Sequence, residues 1–156
     1  MGEGKGEVRI QSGLGGGVAV PAHDWEERTP QFQLQVFPLE ATRSREDSNT
    51  FWRASPEYRL TYGPKETTHL ATLRVGFFRT LDDFSDGTLA DLTSWGFDAN
   101  VGIDQRAELH AGVEFHFLDS TRLIIPGFYL GYDAHFGDSV DHTITIGARW
   151  AYLWNK

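Results

Sequence analysis

His110, Glu114 and His116 share one face of a segment whose side chains alternate, with Asp98 and Asn100 before it and Asp133 and His135 after it. Histidines beside carboxylates can move protons near neutral pH or hold a metal ion. His110, Glu114 and Asp133 are therefore the candidate acid–base set. The same residue types have a plainer use. Set against Arg9, Arg59, Arg74 and Arg149, and joined by Glu57 and Glu108, they make a structural polar network filling an interior. The spacing favours that use. Metal ligands must converge within about 2 Å of one point, whereas alternation spreads them along a strand, so neither a metal site nor a cofactor is expected. "GLGGG" (13–17) lacks the helix, Lys and Ser/Thr of a phosphate loop and reads as backbone curvature. No GxSxG elbow is present to support a nucleophilic serine.

The elements that must position these residues are strands. Apolar and polar residues alternate with period two near residues 7–20, 31–42, 52–62, 69–81, 94–104, 107–117, 125–136 and 142–154. Between them lie turn-forming stretches such as "SREDSN", "GPKET", "DDFSDG", "DQR" and "GDSVD". A tight "DQR" turn would set Asn100 beside His110 and Gly102 beside Glu108. Pro38 and Pro56 interrupt the early strands and leave their register open. The fold expected is all-β: one domain over residues 1–156, a closed antiparallel up-and-down barrel of eight strands.

Two-faced strands can turn either face inward. A soluble barrel buries the apolar face, and a membrane barrel turns it to lipid. Three residue choices point to the second arrangement. The three lysines (Lys5, Lys65, Lys156) lie in a turn or at the ends, although a water-facing sheet normally recruits Lys. The polar face instead carries Arg, Glu, Asp, His and Gln, groups able to pair in a narrow lumen. Gly13, Gly15, Gly17, Gly76, Gly96, Gly102, Gly112, Gly127, Gly131 and Gly147 also fall on the polar face, with Gly16 the exception. The crowded concave side of a small barrel is where a missing side chain helps. Finally, bulky aromatics (Trp95, Phe117, Phe136, Trp150, Tyr152, Trp154) stand toward strand ends on the apolar face, while Ala99, Val101, Ala111, Val113 and Ala148 stand mid-strand, as in an interfacial girdle. The expected lipid-facing set is Trp95, Phe97, Leu109, Phe115, Phe128, Leu130, Ile144, Ile146, Trp150 and Tyr152.

"TIGARWAY" (145–152) resembles the terminal-strand signal of outer-membrane β-barrels: Thr145, Gly147, Trp150 and Tyr152 fill its polar, glycine, large hydrophobic and hydrophobic places. The whole chain resembles the small eight-stranded outer-membrane barrels, the family containing the OmpA transmembrane domain, OmpX and PagP. The resemblance implies a Gram-negative-type outer membrane, a monomer surrounded by lipid or detergent, and recognition of those four residues by barrel-assembly machinery. It also implies porin-like inverted faces without a wide pore. Some members act on lipid A, but no catalytic pattern of theirs is found here.

A formal net charge of −8 argues against a nucleic-acid partner. No apolar run reaches the roughly 18 residues of a membrane helix, and "MGEGKGE" is too polar to be a signal peptide. Trp25 and Trp52, with Arg28, Arg43, Arg45 and Arg53, read as interfacial anchors beside connections. The expected function is a membrane barrel with a polar, largely filled lumen, acting structurally or through its loops. The alternatives are a soluble or periplasmic calycin-like carrier, its cavity lined by Phe97, Phe115, Phe128, Tyr132 and Trp150, and a lipid-acting outer-membrane enzyme.

Overall fold

A computed structural model of the chain describes residues 8–22, 29–44, 50–80, 93–120 and 126–153. They form eight strands: β1 (Val8–Pro21), β2 (Gln31–Ser44), β3 (Thr50–Tyr62), β4 (Thr67–Thr80), β5 (Thr93–Asp104), β6 (Leu109–Ser120), β7 (Gly127–Phe136) and β8 (Val140–Leu153). Each strand pairs antiparallel with its sequence neighbours, and β8 closes on β1, giving an up-and-down barrel with no free edge. Trp25, Arg28, Arg45 and Trp154 lie outside the described residues.

Alternation decides which side of each strand faces the axis. In β4, buried and exposed residues alternate from Leu70 to Arg79. Thr72, Arg74 and Phe78 are buried, while Leu73, Val75 and Phe77 are exposed. The pattern holds around the ring with its usual polarity reversed. Phe97 is 57% exposed and Ile146 64%, whereas Arg74 is 2% exposed. Among the described residues, 28 large hydrophobic side chains stand exposed against six buried hydrophobic residues. An eight-stranded barrel has an interior just wide enough for side chains to fill, and here they are ionic.

The interior glycines make room for large neighbours. Tyr129 lies across Gly147, and a Cβ built there would overlap the Tyr129 ring. The facing Gly17 gives the same ring its second wall, with Tyr129 Oη 3.1 Å from its Cβ direction. Phe78 rests on Gly76 and Gly96 in the same way, 2.6 Å from a Cβ at Gly76. By contrast, a Cβ on Gly16 would point outward and meet only the Gln33 carbonyl at 3.5 Å.

Three local features depart from simple alternation, one of them an extra β6 residue between His116 and Asp119 opposite Ser94–Gly96. Between Val36 and Ala41, β2 carries one more residue than the facing stretch of β3, and it shows the same excess against β1. Pro38 cannot donate to a ladder, so the chain bulges there. Pro38 and Leu39 both face out, and Glu40 turns in, where unbroken alternation would have put Leu39. Pro56, by contrast, stays in register opposite Leu73. The third departure is the β5–β6 turn, which is longer than a tight "DQR" turn. Ala107 donates its N–H to the Asp104 carbonyl at 3.0 Å and has φ of 62°, while Asp104 donates to the Glu108 carbonyl at 3.1 Å. This is a type I turn followed by a left-handed residue. It shifts the register by two, so Gly102, not Asn100, lies beside His110, and Asn100 faces Gly112.

Gly147→Ala is expected to cost about 1–3 kcal/mol, the usual overpacking range, and Gly16→Ala almost nothing. Denaturant unfolding of the two variants side by side measures the difference. Equal costs would contradict an interior packed against Gly147.

Candidate functional site

The middle of the lumen holds one connected ion network. Its cations come from β3, β4 and β8, and its anions from β2, β3, β5, β6 and β7. Arg74 pairs with Glu57 at 2.5 Å, with Glu114, and with Asp98 at 3.6 Å. Arg59 joins Glu57 at 2.8 Å, Asp133 at 3.0 Å and Glu114 at 3.1 Å. Arg53 donates to Asp98 at 2.8 Å and approaches Glu40 at 3.5 Å; Arg149 donates to both Glu40 oxygens at 2.5 Å. Four guanidiniums thus serve five carboxylates. His116 supplies a further donor, its Nε2 lying 3.2 Å from both Asp98 and Glu114.

Three buried aromatics complete the filling. The Arg53 guanidinium lies 3.9 Å from the Phe78 ring centre and that of Arg149 lies 4.2 Å from Phe37, both within cation–π range. Tyr129 faces the His116 ring at 5.6 Å. Phe37, Phe78, Tyr129 and Glu40 were not singled out in the sequence. Three of them share the inward parity of their polar neighbours, a signal that their apolar type masked. Glu40 could not be found by parity at all, because the β2 bulge moves it inward. Arg53, read from the sequence as an interfacial anchor, is instead a buried lumen residue.

A second cluster sits at the mouth formed by the connections 63–66, 105–108 and 137–139. His110 and His135 are direct partners across β6 and β7, with their rings stacked at 4.4 Å. The His110 Nε2 lies 2.9 Å from Asp104 Oδ2, and the His135 Nε2 lies 3.6 Å from the same oxygen and against Glu108 Oε2. Asp104 Oδ1 accepts the backbone N–H groups of Arg106 at 2.8 Å and Glu108 at 3.1 Å. Asp104, His110 and His135 border a cavity of about 350 Å³ whose lining also includes Arg59, Asp133 and Asp141.

No family model matches the chain, and no curated protein sequence matches it either. The site must therefore be read from its own geometry.

Placement separates the residues that the sequence grouped. Glu114 and Asp133 meet at Arg59 in the deep network, while His110 belongs to the mouth with Asp104, Glu108 and His135. Four residues of spacing along a strand put His110 and Glu114 roughly 13 Å apart. Arg9 is half-buried on β1, at the opposite end from the mouth. Trp95, Phe97, Leu109, Phe128, Leu130, Ile144, Ile146 and Tyr152 are exposed on the outer face, and Phe115 and Trp150 are half-buried among them.

Arg74→Ala leaves Glu57, Asp98 and Glu114 short of a cation in a buried site. Such a loss costs about 3–5 kcal/mol, and adding Glu114→Gln should recover part of it. Unfolding of the single and double variants gives the coupling; an Arg74→Ala cost below about 1 kcal/mol would break the network account. At the turn, Ala107→Gly relieves a left-handed residue and is expected to stabilise by about 0.5–1 kcal/mol. The same unfolding assay reads that gain.

Proposed function

We propose that the chain is an integral membrane β-barrel of the outer-membrane type, with a plugged lumen and a structural or interaction role carried by its ends and connections. The observation that carries this reading is the distribution of side chains, with an outer surface of exposed Phe, Leu, Ile, Val and Trp around an interior of paired charges. Soluble monomers rarely expose contiguous apolar patches beyond a few hundred Å². Here the apolar surface runs around the ring: the outward row Trp52, Phe77, Phe97 and Phe115 is followed by the row Ala54, Val75, Ala99 and Val113. Lipid is the solvent that suits such a face, and a closed barrel leaves no backbone edge for lipid to meet.

The terminal-strand residues support the same reading. Thr145 and Gly147 turn inward on β8 and Trp150 and Tyr152 outward, the disposition a barrel-assembly partner would meet on an unpaired last strand. The paired lumen argues for a plug rather than a pore, since Arg59 reaches from β3 to carboxylates on β6 and β7. A carrier would need Phe97, Phe128 and Tyr132 around a cavity, and their exposure on the outer face weighs against that use.

Refolding the full chain with and without detergent tests the proposal. The expected result is a β-sheet circular dichroism spectrum and a monodisperse particle in micelles only, heat-modifiable gel migration, and quenching of tryptophan fluorescence by brominated lipid in vesicles. A monodisperse monomer in plain buffer would reject it. Saturable fatty-acid binding by that soluble monomer would select the carrier.

A further inference from the structure

We infer that the mouth cluster is a binding site for one divalent transition-metal ion of the zinc class, held by Asp104, His110 and His135 with a fourth position open to water. The inference does not depend on whether the outer face meets lipid.

The donor atoms of Asp104, His110 and His135 all lie within 4.8 Å of one another. Bonds of 2.0–2.1 Å to a tetrahedral ion place ligand atoms about 3.3 Å apart. The His110–Asp104 and His135–Asp104 separations, 2.9 Å and 3.6 Å, bracket that edge. The Glu108 carboxylate touches the His135 Nε2 and stands beside this group rather than within it. Two imidazoles and one carboxylate hold the doubly charged cation, and the neighbouring Glu108 carboxylate balances its remaining charge. Imidazole nitrogen suits zinc, copper or nickel and does not suit calcium or magnesium.

The fold also prepares the ligands. Two backbone amides fix Asp104 Oδ1, which leaves Oδ2 directed at the imidazoles. The stacked rings present both Nε2 atoms to that oxygen. His135 Nδ1 lies 3.7 Å from Asp141, where a small adjustment would complete the carboxylate–histidine contact common behind metal ligands. The Glu108 carboxyl is packed against Gly137, 3.0 Å from where a Cβ there would stand. The adjoining cavity gives the ion an entrance and room for an exchangeable fourth ligand.

A similar set of residue types deeper in the lumen, Asp98, Glu114 and His116, also converges. Arg53, Arg59 and Arg74 already occupy those carboxylates. Among the described residues, Asp104 and Glu108 pair with histidines rather than with a guanidinium.

The test is titration of the full folded chain, stripped with a chelator, using Zn²⁺ in a calorimeter and Co²⁺ as the visible-absorbing probe. The expected result is one equivalent bound, with affinity falling at least about tenfold in His110→Ala, His135→Ala and Asp104→Asn, and unchanged in His69→Ala. Circular dichroism checks that each variant folds. Independently of any variant, Zn²⁺ should protect His110 and His135, but not His69, from diethylpyrocarbonate in the unmodified chain. Absence of saturable uptake overturns the inference. So does Zn²⁺ affinity indifferent to Asp104→Asn and His135→Ala, or ethoxycarbonylation of His110 and His135 that Zn²⁺ leaves unchanged.

Discussion

Charge can fill a narrow barrel only if each ion meets its opposite within hydrogen-bonding distance, because an isolated buried ion costs several kcal/mol. The rest of this structure follows from that constraint. Arginine replaces lysine throughout the lumen because a planar fork can serve two or three carboxylates at once, as Arg59 and Arg74 do. Their reach ties β3 and β4 to β5, β6 and β7 across the axis, so the network fixes the barrel's cross-section as well as its charge. The glycines follow from the same crowding. Tyr129 and Phe78 occupy space that a second side chain on the facing wall would need. With polar groups and large rings inside, the aliphatic and aromatic residues have only the outer face left.

Much of this was legible in the sequence, for a definite reason. Period two through most of β4 to β8 assigns side chains to faces, so an error of one or two residues at a strand end leaves the faces unchanged. Arg59, Arg74, Asp98, Glu114, His116 and Arg149 could be placed inside without any knowledge of their partners. What alternation cannot carry is any event that changes the count. The bulge at Pro38 brings Glu40 into the lumen, and the left-handed Ala107 slides β6 by two residues against β5. Both lie beside ion-binding groups. Arg149 and Arg53 depend on Glu40 as a partner, and the juxtaposition of Asp104, His110 and His135 depends on the longer turn. Pairing across the axis was hidden for a different reason: a lumen joins residues from strands distant in the chain, such as Gln35 with Glu114, and no local pattern encodes that.

The slide of β6 also explains why residues that looked too dispersed to bind a metal come together. Along one strand, ligands two apart are spread by roughly 7 Å, which is why His110, Glu114 and His116 do not make a site as a linear motif. Convergence runs across the sheet instead: His110 faces His135 directly, and Asp104 curls back over them from the turn. A turn one residue shorter would invert the face of β6 and send His110 outward, because alternation allows no intermediate register.

The two convergent clusters therefore differ in what surrounds them, even though their residue types match. Deep in the lumen, arginines from β3 and β4 neutralise the carboxylates of Asp98 and Glu114, and a metal ion would have to displace guanidiniums with nowhere to go in a filled interior. At the mouth, Arg59 reaches down to Asp133, Glu57 and Glu114, and Arg106 turns to Glu66 at the rim, so neither is directed at the imidazole pair. Carboxylates there are held by neutral-capable histidines, groups that yield a lone pair to a cation by giving up a proton. One barrel thus uses the same acids in two ways. Arginine makes them a permanent scaffold at mid-height, and histidine leaves them open to exchange where the cavity meets solvent.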